Sequence, residues 1–422
     1  MYKKILFSLL FFTAGCAYGQ EALLSRDSLL KDYDLLCSSL EKIHAGLFLY
    51  QPEERYRQKK EAIRTLIRRD MSVEDFYLLI APLVASAGDG HTFLSIPVAG
   101  RQRYVERGGL VCPLRLKLSD GKLLVDYSYR AGAEVSENEE ILSINGVPSS
   151  AIVEKLYGLT GAEKGNALKD KVLTPHLSTL IWCMYGWEEG YRFEIRRAEG
   201  VQGLFMPGIS NADALQALKA HMPARVEPYS FSIAEEEGRA TLTVRTFFDR
   251  NGLVSFCDSV FPLLEKRKIR KLAIDVRGNG GGASAAVDAL MSYIAHDAYR
   301  MYPRCELRVS EESKAYHRKL HPELYRCIQD LENGSFYRME SELVPDNRKH
   351  AGNFEGEVEV WVDETTYSGA STFAAVVGRS RAGRVIGKTG CPPVYLGNFI
   401  IKQLPCSQLS CYIPFTRFYD SI

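Results

Sequence analysis

The spacing of apolar residues divides the chain into three stretches. From residue 21 to 88, apolar residues recur at intervals of three and four, which predicts amphipathic helices. From 103 to 200, apolar and polar residues alternate, as in the run LRLKLS, which predicts strands. From 229 onward, strand-like and helix-like patterns follow each other in turn, an order that is typical of an α/β domain.

These patterns predict a multidomain α/β (α+β) protein. Its expected parts are a helical N-terminal domain (20–90), a β-rich domain (91–200), a linker (201–228) and an α/β core (229–422) with a polar insertion at about 303–353. Within the β-rich part, ILSINGVP resembles a segment of a PDZ domain, although the loop that usually holds a peptide carboxylate is not evident. A degenerate PDZ-like domain of this kind fits either a structural spacer or a peptide-binding groove.

Two strand-to-helix turns in the predicted core form the candidate site. The strand at 271–276 runs into a glycine loop at 278–282, and the strand at 358–362 runs into a polar bend that leads to Ser368. In open α/β sheets, ligands bind at the carboxyl ends of the strands, so both turns fall where a site is expected. Ser368 has two interpretations: a nucleophile beside a helix N-terminus, or the N-cap of the helix that follows.

The glycine loop does not fit the common phosphate-binding motifs. No Lys follows Gly282, as a Walker motif requires, and the spacing of the dinucleotide fingerprint is not met. Three consecutive glycines allow backbone N–H groups to come close to a substrate, which fits an oxyanion hole. A tight crossing of strand and helix is the other explanation.

Composition and charge narrow the classes of partner. Lys and Arg number 53 and Asp and Glu number 52, so the net charge is +1, which offers no basic field for nucleic acid. The eight His are scattered without the spacing of metal ligands, and we predict neither a metal nor an organic cofactor. The apolar fraction of 46% is ordinary for a globular protein with a sizeable core.

The N-terminus predicts export. Two lysines precede an apolar run at 5–12 that is too short to span a bilayer. The run ends either in an A-x-G cleavage site, giving a signal peptide of residues 1–19, or in a lipobox that would make Cys16 a lipidated membrane tether. We favour the first, because Thr13 stands where a lipobox usually has Leu, and expect a periplasmic or cell-envelope protein. Disulfides are permitted in such a compartment, but the ten Cys suggest no pairing.

Three motifs together resemble the C-terminal processing peptidases and the tricorn protease core. They are AGDGHTFL near residue 90, LAIDVRGNGGG near 275, and TTYSGASTFA with the GRVIGKTG that follows. The resemblance implies a ββα-crotonase-like catalytic core and a tail-specific serine peptidase that acts on polypeptides without a cofactor. It also implies that Ser368 is the nucleophile and that the backbone N–H groups of Gly281 and Gly369 form the oxyanion hole.

The general base separates the two branches of this family. The processing branch carries a Lys within a T-F-G-K-G segment, and Pro393 stands at the matching position here. The tricorn-like branch uses a His from the N-terminal part of the core, which His91 in GDGHT matches. A neutral imidazole is well suited to accept a serine proton near pH 7. Lys388 is the alternative base, and His44 is expected to be a structural residue of the helical domain.

Two departures from the family pattern keep a second class of function open. Relatives commonly have Glu where Ser371 stands, and tricorn-like relatives carry a third catalytic Glu in a C-terminal segment that this sequence lacks, for which Asp420 is a weak substitute. The leading hypothesis is an exported serine endopeptidase, and the alternative is a catalytically impaired peptide-binding protein of the cell envelope. The absence of a G-x-S-x-G motif counts against a small-molecule esterase or amidase.

Overall fold

The structure, a computed structural model, describes residues 23–163, 165–221, 227–345 and 353–420. The predicted signal peptide and Cys16 lie outside these residues. The helices are α1 (Arg26–Ile43), α2 (Glu53–Leu66), α3 (Val73–Ala85), α4 (Ala99–Glu106), α5 (Ser149–Tyr157), α6 (Ala167–Leu173), α7 (Leu177–Tyr185), α8 (Asn211–His221), α9 (Arg250–Lys266), α10 (Ser284–Met291), α11 (Glu311–Leu320), α12 (Pro322–Ile328) and α13 (Gly369–Arg379).

The strands complete the set of regular elements. They are β1 (Phe93–Leu94), β2 (Leu114–Ser119), β3 (Lys122–Ser128), β4 (Glu140–Ile144), β5 (Val147–Pro148), β6 (Gly190–Arg197), β7 (Gly200–Pro207), β8 (Tyr229–Ala234), β9 (Arg239–Val244), β10 (Lys271–Asp275), β11 (Tyr299–Arg300), β12 (Arg304–Arg308), β13 (Phe336–Met339), β14 (Leu343–Val344), β15 (Glu357–Trp361), β16 (Arg384–Ile386), β17 (Val394–Gln403) and β18 (Ser410–Tyr419). This mixture of helices and sheets agrees with the predicted fold class.

The N-terminal helices pack around one apolar core. Helix α1 begins after Ser25, whose side chain accepts a hydrogen bond from a backbone N–H of the first turn, and α3 begins in the same way after Ser72. Their buried faces carry the apolar residues whose spacing predicted the helices, namely Leu29, Leu36, Phe76 and Ile80. After α3 the chain turns at Gly88 into the loop that carries His91. The packed helices therefore fix the position at which this loop begins.

The β-rich region forms a six-stranded antiparallel sheet. Its order is β2-β3-β4-β6-β7, with β5 paired to β4, and helices α5, α6 and α7 pack beside it. The stretch 201–228, which the sequence presents as a linker, contains β7 and α8 in its described part. This differs from the expectation because β7 is an edge strand with mostly exposed residues, so it lacks the clear apolar alternation of a half-buried strand.

The free edge of β2 is the place where a PDZ-like domain would add a peptide as an extra strand. The N–H of Leu118 on this strand donates to Thr174 Oγ1 at 3.0 Å. Just before β2, Val111 exchanges two backbone hydrogen bonds with Ile209, at 2.8 and 3.0 Å. Part of this edge is therefore already used by the chain itself, which favours the structural-spacer interpretation at these positions.

The α/β core contains a five-stranded sheet in the order β16-β15-β10-β9-β8. Strands β9, β10, β15 and β16 are parallel, and β8 is an antiparallel edge strand. Strand β10 is buried from Leu272 to Asp275, as expected for the centre of a parallel sheet covered by helices such as α9, α10 and α13. Because β10 and β15 are parallel neighbours, the glycine loop and the turn with Ser368 both lie at the carboxyl ends of the strands, on the same side of the sheet.

A second sheet joins the region after His91 to the C-terminal strands. Its order is β1-β18-β12-β13, and β17 also pairs with β18. Strand β1 pairs with β18, with Phe93 opposite Tyr412. The polar insertion predicted at 303–353 supplies β12 to the interior of this sheet, and its described residues also form α11, α12, β13 and β14.

A buried carboxylate fixes the helices to this second sheet. Asp32 of α1 accepts hydrogen bonds from the backbone N–H groups of Cys406 and Ser407, at 3.0 and 2.6 Å, in the turn between β17 and β18. The loop with His91 is thus anchored on both sides, by the helices before it and by β1 after it.

Two further features concern the predicted environment of the chain. None of the nine cysteines in the described residues forms a disulfide. None of the described helices has the length and apolar character needed to cross a membrane.

Candidate active site

Ser368 lies on the turn between β15 and α13 in a strained backbone conformation. Its φ is 51° and its ψ is −127°, values that a residue with a side chain rarely adopts. Its side chain makes no capping hydrogen bond to α13. Instead, Ser368 Oγ lies 3.0 Å from Nε2 of His91. Ser368 therefore stands at the N-cap position of α13, but its side chain does not cap the helix and its hydroxyl faces the predicted base instead.

Three hydrogen bonds hold the backbone around Ser368. The N–H of Tyr367 donates to the carbonyl of Asn279 in the glycine loop at 2.9 Å. The N–H of Ser368 donates to Sγ of the buried Cys391 at 3.2 Å. Ser371, which stands where relatives carry Glu, donates its hydroxyl to the carbonyl of Thr366 at 2.9 Å. These contacts hold the turn in its strained form.

His91 is positioned by the buried carboxylate of Asp89. The N–H of His91 donates to Asp89 Oδ1 at 2.9 Å, and the hydroxyl of Thr92 donates to Oδ2 at 2.5 Å. His44 Nε2 lies 2.7 Å from Thr92 Oγ1 and 3.3 Å from Asp89 Oδ2, and its Nδ1 accepts the N–H of Gly46 at 3.0 Å. His44, which the sequence predicted to be a structural residue of the helical domain, thus braces the loop that carries His91.

The surroundings set the charge states of Asp89 and His91. Burial opposes ionisation of Asp89, but its interactions with His44, His91 and Thr92 outweigh it and keep the Asp89 pKa below its ordinary value. Burial lowers the pKa of His91, and the charge of Asp89 offsets this only in part. His91 is therefore neutral near pH 7, the form that can accept a proton.

A tyrosine and a glutamate that the sequence did not single out complete the surroundings of His91. Tyr367 Oη lies 3.0 Å from His91 Nδ1, and the two rings stack with centroids 4.8 Å apart. The Tyr367 hydroxyl donates to Glu163 Oε1 at 2.5 Å. The N–H of Gly90 donates to Tyr367 Oη and to Glu163 Oε2, both at 3.2 Å. Burial and the charge of Asp89 raise the pKa of Glu163 to about 7.

Asp420, the weak substitute for a third catalytic residue, lies in a different environment. It accepts a hydrogen bond from Arg379 at 3.0 Å, and no contact with His91 occurs among the described residues. Burial raises the pKa of Asp420 to about 6, although Arg379 opposes this. Asp420 thus does not take the place next to His91 that the sequence left open for it.

Lys388, the alternative base, is exposed on the loop after β16. It lines a cavity of about 360 Å³ together with Ser371 and Asp420, and Ser368 is not part of that lining. Among the described residues, Lys388 makes no hydrogen bond to Ser368 or His91, so the geometry favours His91 over Lys388 as the partner of the hydroxyl.

The two predicted oxyanion donors differ in whether their N–H groups already have a hydrogen-bond partner. Gly369 is the first residue of α13, and its N–H has no partner within the described residues. The N–H of Gly281, by contrast, donates to Asn279 Oδ1 at 2.8 Å, so this predicted donor is already engaged. Gly281 has φ 100°, and a methyl group there would lie 2.7 Å from both Ser368 Cβ and Gly369 N. Gly281 therefore allows two backbones to approach closely.

Gly282 offers a further N–H beside the nucleophile. A methyl group on Gly369 would lie 3.1 Å from the nitrogen of Gly282, which places the two residues side by side. No acceptor in the described part of the chain pairs with this N–H. The glycine loop thus still supplies a free donor near Ser368, one position beyond the predicted one.

One group of side chains has atoms suited to metal binding. Ligand atoms of Asp89, His91 and Glu163 lie within 4.8 Å of one another. Both ring nitrogens of His91 already face Ser368 and Tyr367, and the Asp89 carboxylate accepts the hydrogen bonds described above. The group is therefore organised as a hydrogen-bond network within the site.

Comparison with known proteins gives one family and one fold. Residues 241–392, which include the glycine loop and Ser368 but not His91, match the family model for peptidase family S41. The crystal structure of mature CPAF has a TM-score of 0.62 at 14% identity, covering 94% of this chain and 90% of that chain. Mature CPAF complexed with lactacystin has a TM-score of 0.61 at 15% identity, covering 93% and 90%.

At such low identity these two structures establish the fold alone. A search of curated proteins found no match. The family model, in contrast, covers the segment in which the serine and glycine motifs lie, and it agrees with the resemblance read from those motifs. Residues 241–392 therefore match peptidase family S41, and this match supports a serine-type peptidase.

Proposed function

We propose that this protein is an endopeptidase that hydrolyses polypeptides with Ser368 as nucleophile and His91 as general base. The observation that carries the proposal is the 3.0 Å separation of Ser368 Oγ and His91 Nε2, made by a serine whose side chain does not cap its helix. A serine hydroxyl needs an adjacent base to become a nucleophile, and a neutral imidazole supplies one near pH 7.

The reaction follows from these positions. Ser368 Oγ attacks the peptide carbonyl carbon while its proton passes to His91 Nε2. The oxyanion that forms is stabilised by the N–H of Gly369 at the start of α13, where the helix dipole also favours negative charge. His91 then gives its proton to the departing amine as the C–N bond breaks and an acyl-enzyme remains. Water then attacks the acyl carbon while His91 takes its proton, and His91 returns that proton to Ser368 Oγ as the ester bond breaks and the acid leaves.

For the second oxyanion donor, the hydrogen bonds support Gly282 rather than Gly281. The N–H of Gly281 is bonded to Asn279, whereas the N–H of Gly282 is free within the described residues and lies beside Gly369. Losing one oxyanion donor costs about 10²- to 10³-fold in kcat in enzymes of this type. The role we assign to Gly281 is to keep the loop close to the nucleophile.

A catalytically impaired peptide-binding protein is the second candidate. It is favoured by the position of Asp420, which bonds to Arg379 rather than to His91. Against it stand two features that a pure binding protein would not need: the strained backbone of Ser368 and a buried base kept neutral beside it. The partly occupied edge of β2 also gives little support to peptide binding there.

We further propose that the protein is exported, as its N-terminal sequence predicts. Fractionation of cells that express the full chain, with mass spectrometry of its mature N-terminus, tests this. Release of residues 1–19 into a free mature protein supports simple secretion, whereas a Cys16 N-terminus that incorporates labelled fatty acid supports a lipoprotein. An uncleaved cytoplasmic chain would overturn the proposal.

Hydrolysis of casein by the mature chain tests the peptidase proposal. We expect Ser368→Ala and His91→Ala each to lower the rate by about 10³-fold or more, because each removes one half of the reacting pair. Lys388→Ala is the matched variant for the competing base and should keep the wild-type rate. Loss of activity in Lys388→Ala with retention in His91→Ala would reverse the assignment, and absence of wild-type hydrolysis would favour the binding protein.

A further inference from the structure

We propose that Tyr367 and Glu163 are positioning residues that hold the His91 imidazole with its proton on Nδ1, which leaves Nε2 free to take the proton of Ser368. The inference rests on the function proposed above and extends it. It assigns the orienting role, which the sequence left open, to residues that come from two separate parts of the chain. Tyr367 directly precedes the nucleophile, and Glu163 lies in the loop between α5 and α6.

The first step of the argument is the contact between the two rings. Tyr367 Oη is 3.0 Å from His91 Nδ1, and the stacked arrangement keeps the imidazole from turning over. The same imidazole presents Nε2 to Ser368 at 3.0 Å. One nitrogen therefore faces the nucleophile and the other faces the tyrosine hydroxyl. A neutral imidazole carries its single proton on only one of these two nitrogens.

The second step is the direction of the hydrogen bonds. An ionised carboxylate can only accept, so the single hydroxyl proton of Tyr367 points to Glu163 Oε1, at 2.5 Å. The oxygen of Tyr367 is then left with acceptor positions only. The N–H of Gly90 occupies one of these at 3.2 Å, and His91 Nδ1 can meet the other only as an N–H donor. With Glu163 ionised, His91 thus carries its proton on Nδ1.

The third step is the reverse arrangement, which protonated Glu163 permits. A neutral carboxyl can donate its O–H to Tyr367 Oη, and the tyrosine hydroxyl then turns to donate to His91 Nδ1. The ring proton must now sit on Nε2, where it faces Ser368 and blocks acceptance of the serine proton. The two arrangements differ in the proton bound to Glu163, in the direction of the Tyr367 hydroxyl proton and in the ring nitrogen of His91 that carries a proton.

The groups around Glu163 determine when it changes state. Asp89 faces it from the His91 loop, Tyr367 from the turn between β15 and α13, Cys391 from the loop before β17, and Tyr50 from the segment between α1 and α2. Burial and the negative charge of Asp89 raise the pKa of Glu163 to about 7, while the hydrogen bonds of Tyr367 and Gly90 act in the opposite direction. The change of state therefore falls near neutral pH.

Neither of the other nearby carboxylates can take this role. The Asp89 carboxylate is occupied by the N–H of His91, the hydroxyl of Thr92 and the ring of His44, and it reaches the backbone rather than the ring of His91. Asp420 is paired with Arg379. Within the described residues, Glu163 is the carboxylate that reaches the His91 ring through one intervening hydroxyl.

Measurement of kcat and KM against pH tests the proposal in the mature enzyme. We expect wild-type kcat to rise with pH through about 7, because ionised Glu163 is the active form. In Glu163→Gln, the side-chain amide can donate to Tyr367 and fix the wrong tautomer, so kcat at pH 8 should fall by about 10²- to 10⁴-fold with little change in KM. The rise near pH 7 should also disappear.

Two further variants complete the set. Tyr367→Phe removes the acceptor for the Nδ1 proton and should also lower kcat with the rise near pH 7 lost. Asp420→Asn is the matched carboxylate-to-amide control at a buried site without contact to His91, and it should keep the wild-type pH profile. Thermal unfolding of each variant confirms that it is folded. A folded Glu163→Gln with the wild-type profile would overturn the inference.

Nitrogen-15 NMR of histidine-labelled protein gives a second readout that does not need activity, with the His91 signals assigned by their absence in His91→Gln. We expect the Nδ1–H form in the wild type at pH 8 and the Nε2–H form in Glu163→Gln. The same tautomer in both proteins would refute the positioning role. If the wild type shows no hydrolysis that depends on Ser368, the proposed function fails, and the NMR result still decides whether Glu163 sets the tautomer.

Discussion

His91 Nε2 lies 3.0 Å from Ser368 Oγ, although 277 positions separate the two residues in the chain. The contact depends on two anchored loops. The loop with His91 is fixed by Asp89 and by the pairing of β1 with β18, and the turn with Ser368 is fixed by Asn279 and Cys391. Such a separation makes the pair sensitive to changes that move either loop, even where no reacting atom is touched.

The strained backbone of Ser368 predicts that glycine at this position will give a more stable protein than alanine. Ser368→Gly and Ser368→Ala both remove the hydroxyl, but only glycine adopts φ 51° with ψ −127° without strain. We expect Ser368→Gly to be more stable than Ser368→Ala by about 1–2 kcal/mol in urea unfolding. Equal stability of the two variants would show that the turn is not strained in solution.

The close packing at Gly281 predicts that alanine there will reduce activity far more than alanine at the neighbouring Gly280. A methyl group at Gly281 would meet Ser368 Cβ and Gly369 N at 2.7 Å, so Gly281→Ala should displace the nucleophile turn and abolish most casein hydrolysis. At Gly280 the nearest atom is the end of the flexible Lys171 side chain at 3.9 Å.

Gly280→Ala is therefore the control for Gly281→Ala and should stay close to wild type in kcat/KM. Circular dichroism of both variants checks the fold. If the two substitutions had the same effect on kcat/KM, the packing of the glycine loop against Ser368 would not matter for catalysis.

The buried hydrogen bonds of His44 predict an effect on the loop with His91. His44→Ala leaves Thr92 and Asp89 without their ring partner, and losing such a buried partner costs about 1–3 kcal/mol. We expect lower thermal stability and a lower kcat, because the backbone of His91 is held by the same carboxylate. His176→Ala, at an exposed position, should change neither quantity.

The environment of Asp420 predicts a pH dependence of stability. Its pKa in the folded protein is about 6, raised above the ordinary value by burial, so the unfolded chain gives up this proton at a lower pH. The stabilisation that it contributes is complete below about pH 4 and is lost as the pH rises through 6.

Asp420→Asn removes this titration and keeps an acceptor for Arg379. Between pH 4 and 7 the wild type should lose up to about 3 kcal/mol more free energy of unfolding than the variant, as measured by urea titration at each pH. A constant difference between the two proteins across this range would argue against a raised pKa.

The parts of the site that the sequence predicted are those with local signals. Ser368 and the glycine loop stand directly after strands with clear apolar patterns, and the turn at Gly88 marked the place of His91. The fold class followed from the same periodicity. The positions of these residues needed only local patterns, whereas their roles as nucleophile and base came from the resemblance of three separate motifs to the C-terminal processing peptidases and the tricorn protease core.

The parts that were missed depend on contacts between distant segments. Glu163 lies in a loop with no motif, and its relation to Tyr367 arises only when the β-rich region packs against the core. The hydrogen bond from the N–H of Gly281 to Asn279 Oδ1 depends on the path of the backbone through a run of glycines. Such a run has no sequence pattern from which the path could be predicted. Strand β7 was missed because edge strands with exposed faces lack apolar alternation.

Covalent capture of the nucleophile tests the central claim most directly. The mature protein is treated with a fluorophosphonate, which reacts only with an activated serine, and the modified residue is located by mass spectrometry. We predict a single modification on Ser368 in the wild type at pH 8, with the rate strongly reduced in His91→Ala and unchanged in Lys388→Ala. No labelling of the folded wild type, or labelling that is independent of His91, would contradict the account.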